Sequence, residues 1–140
     1  MDDRIGYLLK RVQHSLRLNM DHELREFGIT SPQYAALCAI EQKPGLSGNR
    51  MAKWCFVTPQ TMHSIVNKLE TAGLIARSIN DENSSALSIY LTESGVTTLK
   101  KSHQVVSNIE NKLLSNLNAD DIETLRILLS KCATSLDEDD

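Results

Sequence analysis

LSGNRMAKWCFVTPQTMHSIVNKLETAGLIARSINDENSSALSIYL, residues Leu46 to Leu91, carries two helix patterns, a tight turn and two strand patterns in that order. Ser47 is placed to cap a short helix from Gly48 to about Trp54, because its hydroxyl can accept an otherwise orphaned backbone N–H. Three residues, Cys55 to Val57, make the turn. Thr58 caps the next helix, and Pro59 takes its first position, where a missing N–H costs nothing. Met62, Ile65, Val66 and Leu69 recur at steps of three and four and form its inner stripe. Gly73 closes it. Leu74 to Ile79 and Leu87 to Leu91 read as strands around the polar loop Asn80 to Ala86. Helix, turn, helix and hairpin in this order define a winged helix-turn-helix, a module whose second helix enters the DNA major groove.

With the apolar stripe inward, Gln60, Thr61, His63, Ser64, Asn67 and Lys68 face outward. Gln60 and Asn67 carry amides that can bond an adenine edge bidentately, and Thr61 and Ser64 can reach bases or phosphates. Lys68 suits a phosphate contact, and Thr58 sits where helical N–H groups also favour phosphate. Arg50 in the short helix and Arg77 in the wing are the remaining DNA-contact candidates of this set. A polar outer face is the norm for any amphipathic helix. It is the motif order around this helix that points the face toward DNA.

Outside this stretch the chain is helical. Ile5, Leu8, Leu9, Val12, Leu16, Met20, Leu24 and Phe27 make one apolar stripe on a long helix from Arg4 to Phe27, ended by Gly28. Ser31-Pro32 restarts a helix, with Ser31 as its expected N-cap, and Pro44-Gly45 ends it. Thr92 caps a second long helix along which Val96, Leu99, Val106, Ile109, Leu113 and Leu117 recur. Asn118 opens the last helix, with Asp120 and Asp121 in its first turn, where carboxylates suit the dipole. Ile122, Leu125, Leu128 and Leu129 form its stripe. The flanking helices hold more apolar residues than a small winged unit can cover, so a homodimer is expected. The expected fold is mainly α with a small β-wing, a winged helix-turn-helix core flanked by long dimerisation helices. A single domain spans 1–140, with a DNA-binding lobe at about 30–91, dimerisation helices at about 1–29 and 92–136, and an acidic tail at 137–140.

The bulk numbers agree. A chain of 140 residues, 41% hydrophobic and 24% charged, is an ordinary globular composition. No run of about 18 apolar residues exists, so no membrane partner is expected. The N-terminus MDDRIGYLLKR has acids where a signal peptide has bases, and three widely spaced cysteines fit a reducing cytoplasm. The net charge of −3 disfavours nucleic acid only weakly. Six of the 18 acids lie at the two ends, which leaves 15 bases against 12 acids in the body.

TSPQYAAL at Thr30 to Leu37, VTPQTMHSIVNKLETAGLI at Val57 to Ile75 and LTESG at Leu91 to Gly95 together resemble the MarR family of transcriptional regulators, over nearly the whole chain. The resemblance implies a homodimer with interlocked terminal helices. Each subunit then offers one recognition helix and one wing to a pseudo-palindromic operator in double-stranded DNA. It implies repression of nearby genes, relieved by a small aromatic or phenolic effector, a metal or thiol oxidation. The chain departs from the family at three positions. Members often have Arg where Ser64 stands, and commonly Asp and Arg in the wing where Asn83 and Ser85 fall. Here the loop holds Asp81 and Glu82 and no base. Arg50, Lys53, Lys68 and Arg77 are the four bases of the segment, at most eight per dimer. The slope of log K against log[salt] is then no steeper than roughly −7. Specificity is expected to rest on the recognition helix rather than the wing.

For sensing, Cys38 and Cys132 fall on helical stripes and read as packing residues, whereas Cys55, beside Lys53 in the turn, is the redox candidate. His14, His22, His63 and His103 lack metal-ligand spacing, so neither metal nor cofactor is expected. An effector pocket is expected to draw on His14, Arg17, Tyr34 and His103. No nucleophile elbow, phosphate loop or carboxylate pair suggests an enzyme. The rival functions are a dimeric protein-interaction adaptor of the same fold and a thiol-oxidation sensor working through Cys55.

Overall fold

The computed structural model describes residues 3–79 and 87–137, so the wing loop at 80–86 and the acidic end at 138–140 lie outside the described residues. Helix α1 (Ile5–Leu24) continues into a 3-10 turn, Arg25–Phe27, and stops at Gly28. Helix α2 (Ser31–Gln42) begins one residue earlier than its Ser-Pro pattern suggests. Thr30, not Ser31, is the N-cap. Its hydroxyl accepts the Gln33 N–H at 3.3 Å, and Gln33 Oε1 accepts the Thr30 N–H at 2.9 Å. This reciprocal capping box outcompetes Ser31. The Ser31 N–H is instead donated to Asp21 Oδ1 at 2.6 Å, which ties α2 to α1.

Helix α3 (Gly48–Trp54) is capped by Ser47, and α4 (Pro59–Thr71) by Thr58, whose hydroxyl accepts the Thr61 N–H at 3.1 Å. Gly73 closes α4 with φ 77°, a left-handed conformation that costs glycine nothing. Strand β1 (Ile75–Ile79) pairs antiparallel with β2 (Leu87–Leu91), in the register Ile75 to Leu91 through Ile79 to Leu87. One pairing was not expected. The Ile89 N–H reaches Leu46 O at 3.1 Å and Gly45 N–H reaches Ile89 O at 2.9 Å, so the linker before α3 forms a short third edge to the wing.

Residues Met1–Val106 form one compact unit and Ser107–Asp140 a second. The division falls inside α5 (Glu93–Leu113), not at the ends of the winged lobe. The reason is the core. Leu24 of α1, Leu37 and Ile40 of α2, Met51, Met62, Leu69 and Leu99 of α5 are all sealed from solvent in one cluster. Each such burial removes about 1.5–3 kcal/mol worth of apolar surface from water. The end of α1 and the start of α5 therefore belong physically to the winged lobe.

The LTESG segment closes this unit. Thr92 Oγ1 accepts the Gly95 N–H at 3.0 Å and donates to Gly73 O at 2.6 Å, while the Thr92 N–H bonds Leu74 O at 3.1 Å. The end of α4, the start of β1 and the first turn of α5 meet at this one residue. In the second unit, Asn118 and Asp121 cap α6 (Ala119–Asp137) reciprocally, at 2.8 and 3.2 Å. No residue of α6 is buried, and Leu125, Ile127, Leu128 and Leu129 are all exposed. Cys132 is exposed too, contrary to the packing role its stripe suggests: nothing within the described chain covers that stripe. On α1, Ile5, Leu9, Val12 and Leu18 are likewise exposed.

Candidate nucleic-acid interface

The face of α4 is built by its own periodicity. Met62, Ile65, Val66 and Leu69 are buried, at 0 to 8% exposure, which forces Gln60, Thr61, His63, Ser64, Asn67 and Lys68 outward, and all six are exposed. The two threonines at the helix start are joined. Thr58 Oγ1 donates to Thr61 Oγ1 at 3.0 Å while accepting the Thr61 N–H, so the Thr61 hydroxyl proton remains to be donated outward. Pro59, His63 and Val66 form one wall of a notch of about 350 Å³, and Arg77, Leu87 and Ile89 of the wing form another. The start of α3 closes the third side with Ser47, Gly48 and Asn49.

Arg77 does not reach outward from the wing. It lies back on α4, where Nε donates to Glu70 Oε2 and Nη2 to Glu70 Oε1, both at 3.2 Å. Nη2 also donates to Asn67 Oδ1 at 2.5 Å. Its side chain is only 21% exposed. The sequence placed Arg77 and Asn67 as separate DNA contacts; the structure bonds them to each other and pairs Arg77 with Glu70, a residue to which the sequence assigned no role. A pairing across seven and ten positions between helix and strand has no signature in spacing. With Arg77 neutralised, Arg50, Lys53 and Lys68 are the exposed bases of the described segment, and none makes an ion pair with another described residue. Three bases per subunit lower the expected salt slope to roughly −5 for a dimer. The wing positions Asn83 and Ser85, where the chain departs from the family, lie outside the described residues.

The effector candidates separate. Tyr34 and His103 meet across α2 and α5, with the Tyr34 hydroxyl 2.6 Å from His103 Nδ1 and the rings edge-on at 5.5 Å. His103 Nε2 lies 2.9 Å from Glu41 Oε1. Arg17 instead pairs along α1 with Asp21 at 3.8 Å, and His14 is exposed on the same helix. Cys55 is half-buried, and that burial pushes its thiol pKa up. Burial also raises the Cys38 thiol, against a lowering hydrogen bond from Tyr34. A raised pKa means fewer thiolates at neutral pH, the opposite of what a redox sensor needs. Cys55→Ser is expected to leave operator affinity within about twofold of wild type, and peroxide is expected to leave wild-type binding unchanged. Peroxide-induced release in wild type that is lost in Cys55→Ser would contradict this. Among the described residues no three His, Cys, Asp or Glu side chains are grouped to hold a metal, and no helix is long and apolar enough to cross a membrane.

A capped, outward-facing α4 backed by a buried stripe and followed by a two-stranded wing defines a winged-helix transcriptional regulator. The sequence pattern of the MarR family matches residues 27–83. HTH-type transcriptional repressor Rv2887 of Mycobacterium tuberculosis is 34% identical over 93% of this chain and 94% of its own length. That protein has been solved in complex with DNA, a structure that covers 94% of this chain and 98% of its own with a TM-score of 0.79. A structure of the same protein with salicylic acid matches at a TM-score of 0.76. MepR of S. aureus in complex with DNA is 27% identical, covers 95% of this chain and 96% of its own, and matches at a TM-score of 0.84. The chain belongs to the MarR family of winged helix-turn-helix transcriptional regulators.

Proposed function

We propose that this chain is a ligand-responsive transcriptional repressor that binds a pseudo-palindromic operator as a homodimer in the cytoplasm. The observation that carries the reading is the α4 face: six exposed polar residues on a helix capped at Thr58 and backed by a sealed apolar stripe. The exposed apolar residues of α1 and of α6 support dimerisation, because stripes this long are not left in water on a monomer. Two copies then present two α4 helices to successive major grooves. A small aromatic acid or phenol is the favoured effector class, since the related repressor Rv2887 has been solved with salicylic acid. Tyr34 and His103 supply the polar anchor such a ligand needs. The reading assigns no catalytic step to the chain.

The test is retention from a random duplex library by the purified protein, followed by sequencing. An enriched inverted repeat, with half-sites about one helical turn apart, is expected. No enrichment even at low salt would favour the adaptor alternative, which the acids of the wing loop and the tail motivate. Salicylate is expected to release the selected duplex. Failure of salicylate alone would remove the effector class and leave the operator reading standing.

A further inference from the structure

We infer that Phe56, in the turn between α3 and α4, is a further specificity residue whose ring packs on the methyl group of one thymine in each half-site. The inference rests on the proposed operator binding. Helices α1, α3 and α4 end in the same bond pattern. After α1 and its 3-10 turn, the Gly28 N–H bonds Arg25 O and the Ile29 N–H bonds Leu24 O. After α4, the Gly73 N–H bonds Glu70 O and the Leu74 N–H bonds Leu69 O. After α3, the Phe56 N–H bonds Lys53 O at 3.3 Å and the Val57 N–H bonds Ala52 O at 3.1 Å. The pattern needs a left-handed residue at its centre, and φ is 74° at Gly28, 77° at Gly73 and 58° at Phe56. Glycine adopts that backbone without strain. The third position holds phenylalanine, the one non-glycine residue with positive φ among the described residues.

Packing within the chain does not explain that choice. Phe56 is 94% exposed, while Cys55 and Val57 on either side are half-buried against the core and hold the turn in place. A bulky side chain on a left-handed backbone costs stability, and so does an aromatic ring left in water. Strain kept at a single exposed residue points to a use outside the fold. The position of the turn supplies one. In a helix-turn-helix the second helix sets its N-terminal residues against base edges, while the first helix crosses the DNA backbone. Phe56 lies between the two, three residues after exposed Lys53 and two before the Thr58 cap of α4. A phenyl ring has no hydrogen-bonding group to offer a phosphate or a polar base edge. The C5-methyl of thymine is the apolar group that the major groove presents to it. Phe56 therefore adds an apolar contact where the polar face of α4 begins.

The experiment uses full-length protein and the duplexes retained from a random library, with single thymines replaced in turn by uracil, which lacks only the methyl group. For wild type, one such replacement per half-site is expected to weaken binding by about fourfold, the worth of one buried methyl-sized group. Phe56→Gly is expected to weaken binding of the thymine duplex by about tenfold or more, because both half-sites lose a contact. It is expected to bind thymine and uracil equally at that position, with base preferences elsewhere unchanged. Its melting temperature is expected to rise by a few degrees, because glycine takes the same backbone without strain. Phe56→Asn is the second variant, since asparagine also tolerates a left-handed backbone, and it is expected to lose the same discrimination. The inference is overturned if no thymine methyl matters to wild type, or if both variants keep the discrimination. Unchanged operator affinity in Phe56→Gly would overturn it as well. So would a fall in the melting temperature of Phe56→Gly, which would show that the ring is packed in the assembled protein rather than free to meet DNA. Absence of any enriched repeat with wild type is a different failure, because it removes the operator reading on which the inference rests.

Discussion

Gly95→Ala is expected to destabilise the protein by about 3 kcal/mol, the upper end of what overpacking costs. A Cβ at this position would lie 2.0 Å from Leu74 O and 3.0 Å from Leu74 C, both backbone atoms that cannot swing away. Leu74 O is also the acceptor for the Thr92 N–H, so displacing it breaks the bond that seats α5 on the wing. For a chain of this size the melting temperature should fall by about 10 °C. A fall of less than about 2 °C would mean that β1 and α5 separate easily at this contact. The glycine of LTESG is thus explained by close approach rather than by a left-handed backbone.

Leu128→Asp is expected to convert the protein to a monomer in light scattering and to weaken operator binding by roughly a hundredfold or more, the scale of lost bivalency. Leu128 lies on α6 at 52% exposure, between Ile127 and Leu129, on a helix none of whose residues is buried within the chain. An exposed leucine changed to aspartate costs a monomer almost nothing. The same change buries an unpaired carboxylate in a dimer interface, which is strongly unfavourable. A variant that stays dimeric with unchanged affinity would place the interface elsewhere.

The elements of this fold were legible because their signals are local. Thr58-Pro59, Gly73 and the spacing of Met62, Ile65, Val66 and Leu69 each act within one helix, and the structure follows them. The Thr30–Gln33 capping box was also legible in TSPQ, but the Ser-Pro pair beside it drew the start of α2 one residue too late. What could not be read is long-range. The edge formed by Gly45 and Leu46 on Ile89 joins residues more than 40 positions apart and has no alternating pattern. The same holds for the clamp of Arg77 on Glu70 and Asn67. A charge count treats Arg77 as a free cation, and only the folded geometry pairs it. The Tyr34–His103–Glu41 string likewise joins residues 69 and 62 positions apart, though the sequence had already singled out Tyr34 and His103.

In the proposed operator complex α4 reads the major groove twice, once per subunit. Methylation interference on the selected duplex tests it directly, because dimethyl sulfate marks guanine N7 in the major groove and adenine N3 in the minor groove. Interference is expected at guanine N7 in both half-sites, in two patches about one helical turn apart. Interference confined to adenine N3, or to a single patch, would contradict the account.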